Sequence, residues 1–452
     1  MANIRFHAAV IAAKLAEKLI RLLGRNGSHT PGAIALKICP DFLGLAPRPK
    51  TLICVTGTNG KTSVTNMLSD ALEELGCTVA SNRAGSNIVP GCCTNALNSV
   101  TWTGKCRVDA AVYETDERAS RLILPKLRPD YMIVTNLSRD TPKRNAHTDY
   151  IFSILDTYCP DSVKLILNAD DPCSSQLCRE NDRVFFGVGP QEGDYTAPCH
   201  LIADNTLCPK CGAKLRYDYL RYHHIGKVHC PGCGFASYES DYLVTEIGEA
   251  SMTACIRGRE AALPLISPMM PNIYNEAAII AMLDQLGVSA EKMAQVLAKI
   301  HLPDSRFNET KVGTQTIDMM VIKGPIPVSR NLDFVTSQPE NKTVILEMDD
   351  QLDRKKSVEY MGWIYDVEYD RLIQDNIKQI LITGPRCYDH KARLLLAGCP
   401  EEKITCIMDE MEAMDHVRTE GVEKIYLLFD LTSLSLARRM KQKLVERMEG
   451  EQ

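Results

Sequence analysis

The run Gly57-Thr-Asn-Gly-Lys-Thr62, followed by Ser63, holds the residue types that bind a phosphate. Backbone N–H groups of such a turn, and the positive end of a helix that follows it, face an anion. Lys61 adds a point charge, and the Thr62 hydroxyl is placed for Mg²⁺. The glycine that ordinarily stands six positions before the lysine is replaced by Val55, so the turn is bounded by Gly57 and Gly60. A ligand-free strand–turn–helix has little use for Gly, Gly, Lys and Thr together, and these residues read as a nucleotide-phosphate cradle.

A second constellation is Cys208-Pro-Lys-Cys211 with Cys230-Pro-Gly-Cys233, two C-x2-C knuckles separated by eighteen residues. That spacing predicts a tetrahedral four-thiolate Zn²⁺ site of the ribbon type, with Gly212 and Gly234 allowing the tight turn after each knuckle. Four sulfurs leave no open coordination position, so the expected role is structural rather than catalytic. His223, His224 and His229 lie inside the insertion and read as surface residues rather than further ligands. Lys210, Lys214, Arg216, Arg221 and Lys227 make it modestly basic, which keeps nucleic-acid binding open as an alternative.

The elements that must position these groups follow a βα rhythm. Leu52 to Thr56 suits a buried strand, and Val64, Met67, Leu68, Ala71, Leu72 and Leu75 predict a helix that stops at Gly76. Further strands are expected at 78–80, 108–114, 131–135, 163–167 and 184–187, with helices at 117–127 and 148–158. Asn82 to Asn98, rich in Gly, Ser and Asn, reads as a loop, as does the stretch around His29-Thr-Pro-Gly32. Alternating strands and helices predict a parallel sheet covered on both faces, with ligands beyond the carboxyl ends of the strands. Glu114, Asn136, Asn168 and Asp170 all fall at such ends.

With 452 residues the chain exceeds a single core, and two or three domains are expected. The expected division is a helical lead-in at 1–48, a nucleotide-binding domain at 49–305 carrying the ribbon as an insertion at 204–240, and a second α/β domain at 306–452. In the last, strands are expected at 316–322, 343–348, 379–383, 403–407 and 424–429. A net charge of −5 gives no general reason to expect a nucleic acid or an anionic surface as partner. No apolar run reaches the ~18 residues needed to span a bilayer. Residues 4–23 are apolar but interrupted by Arg5, Lys14, Glu17, Lys18 and Arg21. They read as an amphipathic helix docked on the body, with a membrane-surface helix as the sharper alternative. Eighteen cysteines in so long a chain without a secretory signal read as reduced thiols, the four of the knuckles apart.

The phosphate loop, the strand-end Glu114, Thr135-Asn136, Asn168-Ala-Asp-Asp-Pro172, Tyr274-Asn275 and Ser305-Arg306 resemble, in order and rough spacing, the Mur ligase family. The four-cysteine insertion, the lead-in from Pro31 to Lys37, Trp363-Ile-Tyr-Asp366 and the run from Gly384 to Asp389 resemble its MurT type. Two departures stand out. Where ordinary Mur ligases place a histidine after Thr-Asn, this chain has Leu137-Ser-Arg-Asp140. Lys323 stands where the family's D-x-A-H-x-P element has histidine.

The resemblance implies an α/β fold, with a central P-loop domain on a parallel sheet, the inserted ribbon, and a C-terminal Rossmann-like domain. It implies an ATP-dependent amidation of the D-glutamate α-carboxylate of the lipid II stem peptide through an acyl phosphate. In that scheme Gly57, Thr58, Asn59, Gly60, Lys61, Thr62 and Ser63 hold phosphates, and Thr62 with Glu114 binds Mg²⁺. Asn136, Asn168 and Asp170 serve the nucleoside side, while Arg306 and Lys323 reach the phosphates on domain closure. No cysteine here has the frame of a glutaminase nucleophile. The resemblance supplies one in a partner subunit of the GatD type, whose triad Asp366 completes, and places the enzyme in the cytoplasm at the inner face of the membrane. Two other functions fit parts of the pattern: a stand-alone amino-acid-adding ligase of the Mur or folylpolyglutamate kind, and a nucleic-acid-binding zinc-ribbon NTPase.

Overall fold

Strand β1 (Thr51–Thr56) is buried from Leu52 onward and has a parallel neighbour on each side, so its sequence is a continuous apolar run rather than an alternation. Ile53 and Val55 enter one core, Leu52 and Cys54 the other, on opposite faces of the sheet. The computed structural model describes residues 2–24, 27–83, 86–139, 147–198, 201–300, 307–322, 324–349 and 360–450. These group in two compact units, the first built from residues of Met1–Arg139, His147–Pro198 and Asp204–Leu302, the second chiefly from those of Pro303–Gln452.

In the first unit α1 (Ala2–Leu22), α2 (Thr30–Ile38) and α3 (Phe42–Leu45) precede β1. There follow α4 (Lys61–Glu74), β2 (Val79–Ser81), α5 (Val89–Asn98), β3 (Ala110–Glu114), α6 (Ser120–Leu127), β4 (Tyr131–Val134), α7 (Thr148–Tyr158), β5 (Lys164–Asn168) and β6 (Arg183–Val188). β7 (Arg216–Tyr222) and β8 (Ile225–His229) form an antiparallel hairpin in the cysteine-bearing insertion. β9 (Tyr242–Ile247), β10 (Ser251–Ile256) and β11 (Arg259–Pro264) extend the main sheet, and α8 (Met270–Gln285) and α9 (Ala290–Leu297) close the unit. The sheet runs β11-β10-β9-β6-β5-β4-β1-β3-β2, parallel from β9 to β2 and antiparallel across β9-β10-β11.

Two stretches expected as loops are helices. Pro31 opens α2 within its first turn, where a missing N–H costs nothing, and Pro90 does the same for α5. The small residues that suggested a loop let the two helices touch: a Cβ on Gly32 would strike the Pro90 carbonyl, and the Gly32 N–H donates to Thr94 Oγ1 at 2.9 Å. Close packing, which composition does not record, turns glycine here from a breaker into a contact.

The second unit holds β12 (Phe307–Val312), β13 (Gln315–Ile322), α10 (Pro325–Ser337), β14 (Lys342–Glu347), β15 (Ile377–Thr383), α11 (Cys387–Leu396), β16 (Ile404–Ile407), α12 (Glu410–Ala413), β17 (Lys424–Asp430) and α13 (Leu434–Gly450). Its sheet, β12-β13-β17-β14-β15-β16, is parallel except at the β12–β13 hairpin. Buried β17, with Ile425, Leu427 and Phe429 on one face, is its centre.

Candidate nucleotide site and metal centre

The turn after β1 leads into α4 with Gly60 at its N-cap in the left-handed region (φ 87°) and with no side-chain cap. Uncapped first-turn N–H groups at the positive end of a helix are what an anion needs. Both glycines are required by contact. A Cβ on Gly57 (φ 123°) would overlap Thr135 and Asn136, and one on Gly60 would overlap the Asn275 side chain.

The loop is clasped from β4's end. The Asn136 side chain accepts from Asn59 N and donates to Asn59 O, each at 3.1 Å, while its carbonyl accepts from Thr58 N at 2.8 Å. The Thr58 hydroxyl is engaged with the Ser138 backbone at 3.0 Å, facing the scaffold. The Thr62 hydroxyl makes no hydrogen bond among the described residues.

Lys61 Nζ donates to Gly57 O at 2.5 Å, to Thr58 O at 3.1 Å and to Glu117 Oε1 at 2.7 Å. Burial alone would depress its pKa, but the Glu117 and Glu114 carboxylates outweigh burial and hold it above the usual lysine range. Glu117 is a site residue that sequence reasoning missed; its one signal was a carboxylate three positions after the strand-end Glu114. Glu114 itself is buried. Its Oε1 accepts from Asn87 Nδ2 at 3.0 Å, and its Oε2 has no partner. A buried carboxylate oxygen without a partner, and a threonine hydroxyl without a hydrogen bond among the described residues, are the oxygen donors that a hard cation such as Mg²⁺ takes.

At the end of β5, Asn168 donates to Thr135 O (3.1 Å) and accepts from Asp170 N (3.0 Å). The buried Asp170 carboxylate accepts from Tyr274 OH (2.6 Å), Tyr219 OH (3.0 Å) and Val188 N (3.1 Å), with Arg221 at 3.6 Å. Asp171 accepts from Leu137 N at 2.7 Å and lies 3.4 Å from His224 Nε2. Tyr219, Arg221 and His224 all belong to the β7–β8 hairpin, so the cysteine-bearing insertion reaches into the strand ends of the nucleotide sheet. His223 and His224, expected at the surface, are therefore buried, and of the three only His229 is partly exposed. Arg221 also leaves the basic face: it donates to Val188 O and Tyr274 OH, both at 2.7 Å, and to Gly189 O.

The four knuckle sulfurs lie within 4.8 Å of one another, with Cys208–Cys233 and Cys211–Cys230 at 3.5 Å. A zinc tetrahedron with ~2.3 Å bonds has edges of about 3.8 Å, so the set fits the ion. Lys210 N and Gly232 N point at Cys208 Sγ and Cys230 Sγ (3.4 and 3.3 Å), and Gly212 and Gly234 adopt matching φ of 72° and 70°.

In the second unit Asp366 ends the turn Met361–Asp366, half-buried and without a side-chain hydrogen bond among the described residues. Its neighbours are fixed. Arg393 donates to Val367 O at 2.8 Å and covers the Tyr369 ring, whose hydroxyl meets His390 Nδ1 at 2.7 Å. Burial drives the His390 pKa down to about 4, keeping it neutral. Of the acidic stretch around Asp366, Glu368 is buried and paired with Arg371 (3.1 Å), whereas Asp370 is exposed. Arg306 and Lys323 lie outside the described residues.

Residues 55–197 match the Mur ligase middle domain, and residues 321–434 match the MurT ligase C-terminal region. The chain is 28% identical over 393 residues to the lipid II isoglutaminyl synthase (glutamine-hydrolysing) subunit MurT of Staphylococcus aureus (strain COL), covering 86% of this chain and 87% of that one. It is 26% identical over 442 residues to the subunit of the same name from Streptococcus pneumoniae (strain ATCC BAA-255 / R6), covering 96% of each. Among solved structures, a pseudomurein peptide ligase type C from Methanothermus fervidus shares the fold, with a TM-score of 0.67 at 16% identity over 90% of this chain and 81% of that one.

Proposed function

The chain belongs to the Mur ligase family and to its MurT type, and from that premise we propose that it is the ATP-using subunit of a lipid II isoglutaminyl synthase. The reaction amidates the D-glutamate α-carboxylate of the stem peptide to D-isoglutamine. What carries this reading is the union, in one chain, of a phosphate loop with a MurT-type C-terminal region.

A carboxylate oxygen is a poor leaving group, so amide formation begins with phosphoryl transfer, a problem of positioning and charge neutralisation. The uncapped N–H groups of α4 and the loop receive the β- and γ-phosphates. Lys61 exchanges Glu117 and the loop carbonyls for phosphate oxygens. Thr62 and Glu114 would hold Mg²⁺, whose charge would offset that of the phosphates. The substrate carboxylate attacks the γ-phosphorus and ADP leaves; ammonia then attacks the acyl carbon and phosphate departs. Asn136, Asn168 and Asp170 act on the nucleotide through the loop and strand ends that they hold. Arg306, and Lys323 standing where the family has histidine, are assigned to the phosphates in this scheme. Zn²⁺ on Cys208, Cys211, Cys230 and Cys233 stabilises the insertion.

A glutaminase subunit of the GatD type supplies the ammonia, and Asp366, the turn residue braced through Val367 by Arg393, completes its triad. The substrate's lipid anchor sets the work at the cytoplasmic face of the membrane. ADP release from ATP that requires lipid II together with ammonium, or with glutamine plus the partner, tests the reading. Turnover that requires a free amino acid and ignores ammonium would overturn it.

A further inference from the structure

Helix α1 has two apolar faces. Phe6, Ala9, Val10 and Ala13 are buried against the body, and the Phe6 ring stacks on Phe42 with centroids 5.0 Å apart. The opposite side carries Ile4 (74% exposed), Ile11 (47%), Leu15 (56%), Leu19 (60%) and Leu22 (75%). Steps of seven, four, four and three residues at ~100° per residue bring all five within roughly 40° of Leu15. Scattered exposed leucines are ordinary on a protein surface, but a continuous stripe along a whole helix is not.

Charge frames the stripe. Lys18 and Arg5 lie at its two margins, with Lys14 and Arg21 beyond Lys18. Glu17, the one carboxylate of the helix, is turned inward and paired with Arg21 at 2.5 Å. Beside it Trp102 is 51% exposed, with Lys14 Nζ 5.9 Å over its ring and donating to Leu97 O at 3.0 Å. Lys105 and Arg107 are exposed on the same turn. A cationic rim of this kind stands out on a chain of net charge −5. An aliphatic strip between basic residues, with a tryptophan at its edge, matches a bilayer surface, where apolar groups enter the acyl boundary and cations meet anionic headgroups.

We propose that the outer face of α1, with Trp102 beside it, is the surface on which the protein lies against an anionic lipid bilayer. The choice of a bilayer as occupant rests on the lipid-linked substrate proposed above; the stripe and its charge do not. No helix among the described residues is long and apolar enough to cross a membrane, so the contact is interfacial.

Sedimentation of the full chain, alone and with its partner subunit, with phosphatidylglycerol or phosphatidylcholine vesicles tests this without nucleotide or turnover. Binding is expected to phosphatidylglycerol vesicles, weakening with salt. Leu15→Glu with Leu19→Glu should weaken it by roughly a hundredfold, and Lys18→Glu by roughly fivefold, with circular dichroism and ADP binding unchanged. Vesicle binding that is absent in the wild type, or untouched by the double substitution, overturns the proposal. So does a concentration-dependent dimer, or protection of α1 by the partner subunit, that the double substitution abolishes. Vesicle binding without lipid II amidation would leave this surface standing and remove the proposed reaction.

Discussion

Lys61 Nζ sits 2.7 Å from Glu117 Oε1 while also donating to two carbonyls of its own loop. In the reaction proposed above, the cation assigned to phosphate is thus stored, charged and pre-positioned, on groups that it would leave when a nucleotide arrives. Lys61→Ala should lower ATP-dependent amidation by about 10²–10³-fold, as expected for the loss of one pre-organised charge. Its raised pKa means that the stability contributed by the lysine charge is whole below the usual lysine pKa and is lost as pH rises through the elevated value. Burial, by contrast, holds the Glu117 pKa above the usual carboxylate range, so that group's own contribution falls as pH rises through that range. Single-turnover assays and an alkaline pH–stability curve of wild type and variant check both statements.

The Asp170 network should dominate the stability of the first unit's strand ends. Tyr274→Phe removes a 2.6 Å hydrogen bond to a buried carboxylate and should cost about 1.5–3 kcal/mol. Arg221→Ala removes the facing cation and should cost about 3–5 kcal/mol. Urea denaturation of each variant measures the difference.

The knuckles and the nucleotide site should respond together. Cys208→Ser is expected to lose zinc, lower the unfolding midpoint and weaken binding of a fluorescent ADP analogue, because the β7–β8 hairpin braces Asp170 and Asp171. A variant that loses zinc yet keeps fold and nucleotide affinity would break that link.

Asp366→Asn should remove glutamine-driven synthesis while leaving ammonium-driven synthesis intact. Arg393→Ala, which frees the Val367 carbonyl, should reproduce part of that split. Product assays with the two nitrogen sources, in the presence of the partner subunit, decide it.

Glu276 is buried with one oxygen unpartnered, and burial raises its pKa to about 8. The folded state therefore binds a proton that the unfolded chain releases at ordinary carboxylate pH. Stability tied to this group is whole below about pH 4.5 and falls as pH rises toward 8. Glu276→Gln should flatten that decline, stabilising the protein at pH 8 and changing little at pH 4, as read by thermal melts across the range.

The sequence by itself determined the features that depend on neighbours along the chain. The Gly57–Ser63 turn, the helix from Lys61, both C-x2-C knuckles and the buried parallel strands are set by residue type at short spacing, where sterics and periodicity act locally. Only the tertiary structure decided which distant groups those features meet. Pairing Lys61 with Glu117, seating Tyr219, Arg221 and His224 on Asp170 and Asp171, and packing Gly32 against Pro90 all join segments far apart in the chain. Burial does this by forcing each polar atom to find a partner in space, and no spacing rule encodes which partner that will be.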